Sequence, residues 1–234
     1  MKEDKPIGRG KLTFDWIPNN AERLLDIGCA SGEHTLYYLK KCSKVFGVDA
    51  NKDLIETANE RYPQIKFRVA NAESLPFAKN YFDVVVMNDV LEHVEDEKKS
   101  LDETHRVLKK DGILIVTTPH KGLFSFIDVD NYSWYFRKLF GIKTIKPGYN
   151  RKHRHYSLKD FELLLENKFQ ILKSFRSSCF IVPLVSNIRL LVRHIFGENF
   201  ELKVKPYLNE LSELDYFIPF WKFSYNIAII ARKN

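Results

Sequence analysis

Residues 24–35 read Leu24-Leu25-Asp26-Ile27-Gly28-Cys29-Ala30-Ser31-Gly32-Glu33-His34-Thr35. A short apolar run ends in a turn of small residues, and a helix-like run over 35–41 follows it. Strand, tight turn and helix in that order are how an open α/β sheet builds a cofactor site at the carboxyl end of its first strand. Glycine is needed where the backbone bends sharply or lets a ligand lie against it. Val45-Phe46-Gly47-Val48 reads as a second buried strand that ends in Asp49, 21 positions after Gly28. A carboxylate there is placed to accept hydrogen bonds from ribose hydroxyls. The two features together imply a cofactor of adenosine type.

Charge narrows the choice of cofactor. A dinucleotide fingerprint G-x-G-x-x-G starting at Gly28 needs glycine at 30 and 33, where the chain has Ala30 and Glu33. A carboxylate at the start of the helix repels a pyrophosphate seated on those amides. S-adenosylmethionine has no phosphate, and its sulfonium and ammonium outweigh its one carboxylate. An acidic turn suits that ligand and makes an NAD-dependent oxidoreductase a distant reading. Glu33 taken alone is equally explained as an acidic residue favoured at a helix N-terminus.

Working outward, strand-like runs recur at 22–27, 44–48, 64–69, 82–87 and 112–117. Their near-continuous apolar character, as in Tyr81 to Met87, fits a parallel sheet covered on both faces. Helices are expected at about 33–41, 51–61 and 97–109 as right-handed crossovers, with Asn51 or Asp53 capping the second. Residues 9–20 read as a short leading helix or cover ending near Pro18. After Thr118-Pro119 the pattern breaks, and residues 119–156 look like an insertion or lid. Order returns at Ser157, a good N-cap for a helix over 158–167, followed by a strand at 169–175. Residues 180–200 read as a second irregular or helical insertion, and Asn226 to Ala231 as the closing strand.

Five blocks resemble the class I S-adenosylmethionine-dependent methyltransferases, in their broad small-molecule, type 11-like branch. They are Leu25 to Gly32, Val48-Asp49, Asn71-Ala72-Glu73-Ser74-Leu75-Pro76-Phe77, Asn88-Asp89-Val90-Leu91-Glu92-His93-Val94 and Leu108 to Val116. They fall in family order at family spacing over roughly residues 20–120. The resemblance implies a Rossmann-like, doubly wound, seven-stranded and mostly parallel α/β sheet. Its last strand is expected to run antiparallel, inserted beside its predecessor, with the whole of 1–234 as a single domain carrying two insertions. It also implies that Gly28 and Gly32 with Asp26 line the methionine moiety, that Asp49 takes the ribose hydroxyls, that Asn71 and Ala72 meet the adenine edge, and that Cys29 and Ala50 are further cofactor-binding positions. Asn88 would offer its backbone oxygen to the cofactor amine. Two positions depart from the family pattern: Ala30 replaces the middle glycine, and Asn71 replaces the usual aspartate. An asparagine amide oxygen still accepts from an adenine amino group.

Methyl transfer from a sulfonium needs alignment of the acceptor and, for an oxygen or nitrogen acceptor, removal of a proton. His93 is the candidate general base, since it follows the fourth strand where the resembled enzymes meet their acceptor; the alternative is an imidazole that only shapes the pocket. Glu92, Glu95, Asp96 and Glu97 read as a solvated, helix-starting acidic run. In Arg151-Lys152-His153-Arg154-His155-Tyr156, the candidates for substrate binding are His153, His155 and Tyr156, which could hold a phosphate or carboxylate. An exposed basic loop explains the same residues. The histidines lack cysteine partners and a suitable second pair, so no metal is expected.

The chain has 234 residues, 44% of them hydrophobic, and a net charge of +7. Between Asn131 and Lys159 there is no Asp or Glu but eight Lys and Arg, which leaves the rest of the chain close to neutral. Tyr132, Trp134, Tyr135, Phe136, Phe140 and Tyr149 interleave with those cations, a mixture that suits RNA bases, sugar phosphates or a membrane interface. A helix over 186–196 would present one apolar face beside Arg189 and Arg193, for packing a lid or for lying on lipid. Neither a signal-peptide stretch nor an apolar run of the ~20 residues a membrane span requires is apparent. The three cysteines (Cys29, Cys42, Cys179) have no metal-type spacing and read as reduced thiols. These features suggest a cytoplasmic enzyme, at most peripheral to the inner membrane face. Its acceptor is expected to be a small or lipid-linked molecule such as a quinone precursor, glycolipid or sugar. An RNA methyltransferase and a non-catalytic cofactor-binding partner protein are the alternatives.

Overall fold

Arg23-Leu24-Leu25-Asp26-Ile27 forms β1 (Arg23–Ile27), with every residue from Leu24 onward buried. A strand with both faces buried belongs in the middle of a covered sheet. In the computed structural model it pairs in parallel with β2 (Lys44–Asp49) on one side and β4 (Phe82–Asn88) on the other. Described here are residues 8–123, 153–177, 181–197 and 223–234, together with 125, 131, 135, 138, 139, 200, 201, 203, 204, 207 and 208. Tyr132, Trp134, Phe136, Phe140, Tyr149, Cys179 and the cations Arg137, Lys143, Lys146, Arg151 and Lys152 fall outside them.

Beyond β2 lies the short β3 (Lys66–Val69), and beyond β4 lies β5 (Leu108–Pro119). The last two strands, β6 (Phe169–Ser177) and β7 (Asn226–Lys233), complete a seven-stranded sheet of order β3-β2-β1-β4-β5-β7-β6. β7 runs antiparallel to both neighbours and is inserted between β5 and β6, as expected. The chain therefore winds one way from β1 to β3 and the other way from β4 onward. The carboxyl ends of β1 and β4 mark the reversal, where open α/β sheets bind ligands.

The helices follow the expected positions with shifted ends. α1 (Gly8–Trp16) is a leading cover whose Thr13 Oγ1 donates to Asn88 Oδ1 (2.8 Å) at the end of β4. α2 (Glu33–Tyr37) is shorter than expected and tightens into a 3₁₀ turn over Tyr38–Lys40. In α3 (Lys52–Arg61) the cap is Asn51, whose side chain accepts from Asp53 N and Leu54 N. Asp96 caps α4 (Glu97–Val107), and Ser157 with Asp160 forms a reciprocal capping box on α5 (Leu158–Leu165). Residues 181–196 form one helix, α6 (Ile181–Phe196).

Two apolar layers cover the sheet. One gathers Leu25, Met87, Leu101, Phe161 and Ile229; the other gathers Leu24, Tyr38, Val84, Val86 and Ile115. Alternate residues of β1 and β4 thus feed opposite layers, which fixes the strands' register.

Candidate active site

A cavity of about 490 Å³ opens at the carboxyl ends of the central strands. Its described walls come from four of the sequence blocks: Gly28 and Ala30, Asp49 to Asn51, Asn71 to Glu73, and Asp89, Val90, His93 and Val94. The backbone builds it with three left-handed residues in a row of five, Gly28 (φ +74°), Ala30 (φ +46°) and Gly32 (φ +81°). At Gly28 a Cβ would stand 2.3 Å from Val90 Cγ2, so only glycine lets the turn lie against the loop after β4. The amides of Gly28 and Cys29 both donate to Val48 O (2.7 and 3.1 Å), which joins the turn to the end of β2.

Asp49 organises the rim. Its Oδ2 accepts from Ala30 N (3.0 Å) and its Oδ1 from Asn51 N (2.8 Å), one bond to each oxygen. A carboxylate has about four acceptor sites, so two backbone amides aim the group while leaving it able to accept a vicinal diol. Asp26 lies beneath the turn, 3% exposed, where Thr35 Oγ1 donates to its Oδ2 (2.6 Å). Burial pushes its carboxyl up to about 7; the Thr35 hydrogen bond pulls the other way and the Asp49 charge adds to the rise.

The remaining expected cofactor residues divide. Gly28, Asp49, Ala50, Asn71 and Ala72 line the cavity. Asp26, Cys29, Gly32 and Asn88 do not line it. The Asn71 amide oxygen accepts from Glu73 N (3.0 Å) in a tight local turn. Asn88 turns its side chain into the sheet, accepting from Thr13 and Thr117 and donating to Tyr38 Oη.

On the acceptor side, His93 lines the cavity. Its Nε2 lies 3.1 Å from Nε2 of His153, with ring centroids 4.5 Å apart. The sequence singled out both residues but gave no sign that they meet, being 60 positions apart. Tyr156 is buried, and its one hydroxyl proton lies within hydrogen-bond reach of both Glu97 Oε2 (2.8 Å) and Leu91 O (3.1 Å). Burial and the Glu97 charge raise its phenol well above the usual value. Arg154 pairs with Glu97 (3.0 Å) and also donates to Val94 O. His155 is half-buried. The segment 153–156 is thereby latched onto the loop after β4.

Glu92 corrects the sequence reading: it is 2% exposed, not part of a solvated run. Glu97 is committed to Arg154 and Tyr156, while Asp96 caps α4. Val90, Val94 and Leu54 line the cavity but were not singled out, because apolar residues beside a turn carry no chemical signature in sequence.

A family model described as "Methyltransferase domain" matches residues 25–116, the span that supplies most of these walls. The chain belongs to the class I S-adenosylmethionine-dependent methyltransferases. Among its relatives, the ubiquinone biosynthesis O-methyltransferase of Pelagibacter ubique is 35% identical over 109 residues, 45% of each chain. The uncharacterized protein MJ1123 of Methanocaldococcus jannaschii is 31% identical over 175 residues, 74% of this chain and 70% of that one. The uncharacterized methyltransferase YcgJ of Bacillus subtilis is 35% identical over 95 residues, 38% of each chain. Its crystal structure superposes with a TM-score of 0.61 at 18% identity, covering 96% of this chain and 97% of that one. With YcgJ and the ubiquinone enzyme, the matched sequence thus spans well under two thirds of the relative's own length.

Proposed function

We propose that this methyltransferase-family chain binds S-adenosylmethionine in the 490 Å³ cavity and transfers its methyl group to a small-molecule or lipid-linked acceptor. The observation that carries the reading is the charge of the cavity. Among the described residues on its walls, Asp49, Glu73, Asp89 and Glu95 are acids and none is Lys or Arg. A pyrophosphate would meet four carboxylates and no cation; a ligand with a sulfonium and an ammonium meets the complementary field. The close approach at Gly28 and the aimed carboxylate of Asp49 fit a nucleoside laid across the turn.

When bound, S-adenosylmethionine supplies a methyl group on an intrinsically good leaving group, so the protein's task is positioning and desolvation. Asp49 holds the ribose end and the acids near Asp89 the positive end. Val90, Val94 and Leu54 exclude water. His93 takes the proton that an oxygen or nitrogen acceptor loses, with His153 behind it to share the charge. His93→Ala should lower turnover by about 10²- to 10⁴-fold while leaving S-adenosylhomocysteine affinity within about threefold of the starting protein. Near-normal turnover in that variant would refute the general-base role.

A lipid-linked acceptor is favoured by α6. Leu184, Leu191 and Ile195, at helical spacing on one side, are 55%, 57% and 58% exposed. Arg193 is exposed on the opposite side of the same helix, so it is the outward apolar stripe alone that suits a helix lying on a lipid surface. Among the described residues no helix is long and apolar enough to cross a membrane. The buried free thiols of Cys29 and Cys42 suit the reducing cytoplasm, and the α6 stripe suits a position at the inner membrane face. Relatives named for quinone biosynthesis make a quinone precursor the first acceptor to try. The test is transfer of label from methyl-tritiated S-adenosylmethionine into the lipid, small-molecule, polysaccharide and RNA fractions of a cell extract. Label in the lipid fraction supports the reading; label confined to RNA overturns it in favour of a nucleic-acid acceptor, and cofactor binding without label in any fraction leaves a binding module.

A further inference from the structure

We infer that Glu92, His93 and His153 form a site for a divalent cation of the zinc type at the acceptor end of the cavity. One ligand atom from each residue lies within 4.8 Å of the other two. The two imidazole Nε2 atoms are 3.1 Å apart. Two nitrogens bound to one tetrahedral ion at about 2.0–2.1 Å stand about 3.3 Å apart, so this pair already has close to the spacing that a shared ion imposes. Two imidazoles and a carboxylate are the donor set of many open zinc sites and suit borderline first-row cations better than Mg²⁺ or Ca²⁺.

The cluster is built rather than accidental. His93 and Glu92 come from the loop after β4, and Glu92 is 2% exposed. His153 comes from a segment 60 residues later, and its backbone is clamped by one buried side chain: Asn131 Oδ1 accepts from His153 N (2.8 Å) and Asn131 Nδ2 donates to His153 O (3.4 Å). Tyr156 bonded to Leu91 O, and Arg154 bonded to Val94 O, bring the two segments together on either side of Glu92 and His93. Supports of this kind orient metal ligands.

The site deepens the methyltransferase reading and rests on it only for its role. An ion-bound His93 has no lone pair for a proton, so the general-base role given to it above belongs to the ion-free protein alone. In the loaded protein the ion instead holds an oxygen of the acceptor and lowers the pKa of its hydroxyl, the proton leaving to water. The acceptor class this implies has a hydroxyl able to reach His93.

Binding is tested without catalysis, on the full chain stripped with a chelator and dialysed. Zn²⁺ is titrated calorimetrically, and Co²⁺ is followed by its visible ligand-field bands. One equivalent should bind, and both Glu92→Gln and His153→Ala should weaken it about a hundredfold or more, with Asn131→Ala costing about 10- to 100-fold. His105→Ala, which removes an imidazole outside the cluster, should leave the affinity unchanged. The thermal midpoint and S-adenosylhomocysteine affinity of each variant establish that it is folded. Absence of binding tighter than about 100 µM by a protein that still binds S-adenosylhomocysteine overturns the site, as does binding that Glu92→Gln and His153→Ala leave intact. Failure of the methyltransferase reading would show separately, as loss of cofactor binding or label transfer with the metal titration unaffected.

Discussion

Replacing Gly28 by alanine tests the turn at the heart of the site. Two separable costs follow from the structure. Gly28 sits at φ +74°, and a non-glycine residue held in that region loses roughly 1–2 kcal/mol. The added Cβ would also lie 2.3 Å from Val90 Cγ2. Val90 is β-branched and stiff at χ1, so the overlap is relieved by backbone movement, at about 1–3 kcal/mol. Gly28→Ala should therefore destabilise the protein by about 2–5 kcal/mol in chemical denaturation. It should weaken S-adenosylhomocysteine binding as well, because Gly28 N and Cys29 N are tied to Val48 O beside Asp49. Adding Val90→Ala removes the overlap but not the backbone strain. Measured against Val90→Ala alone, Gly28→Ala should then cost only about 1–2 kcal/mol. A Gly28→Ala protein within about 0.5 kcal/mol of the original, or a cycle in which Val90→Ala recovers nothing, would refute the close-approach argument.

Three further outcomes follow from named groups. Asp26 binds a proton in the folded protein up to about pH 7 but in the unfolded chain only to about 3.8, so stability should fall as pH rises from about 4 to 7. Asp26→Asn should flatten that slope, which is worth at most about 4 kcal/mol, as urea titrations at several pH values would show. Ser157→Ala removes the acceptor of Asp160 N and should cost about 1 kcal/mol in the same assay. Tyr156→Phe leaves Leu91 O and Glu97 without the phenol's donor, and should cost about 1–2 kcal/mol of stability with KM for the acceptor unchanged. A raised KM with unchanged stability would instead make Tyr156 a substrate contact.

The sequence displayed the sheet because its central strands are buried on both faces. Leu24, Leu25, Ile27 and Val84 to Met87 have to be apolar wherever they point, and that leaves near-continuous runs interrupted in β1 only by Asp26. Caps were legible for a similar reason: Asn51 and Ser157 act on amides two or three residues away. Ends governed by distant contacts were not. β5 begins at Leu108, within the expected helix, because Leu108 pairs with Phe82 before a register shift that no local pattern announces. The same limit applies to α6, whose outward apolar stripe reads in sequence as core packing and as a lipid-facing surface alike.

The acceptor side was hidden by geometry of another kind. Asp89 takes a left-handed conformation (φ +54°) just after β4, so the strand's alternation stops there and gives no clue which way Glu92 and His93 face. Glu92 then lies in an acid-rich stretch with Glu95, Asp96 and Glu97, where composition argues for solvent. It is buried because Tyr156, Arg154 and His153 close over the loop from a segment whose own composition also argues for solvent. Each side looks like an exposed polar loop until the other is placed against it. A carboxylate and two imidazoles meet there only because two polar segments shield each other. Such a meeting lasts only if its charges are offset inside the contact, as the Arg154–Glu97 pair offsets them on one flank.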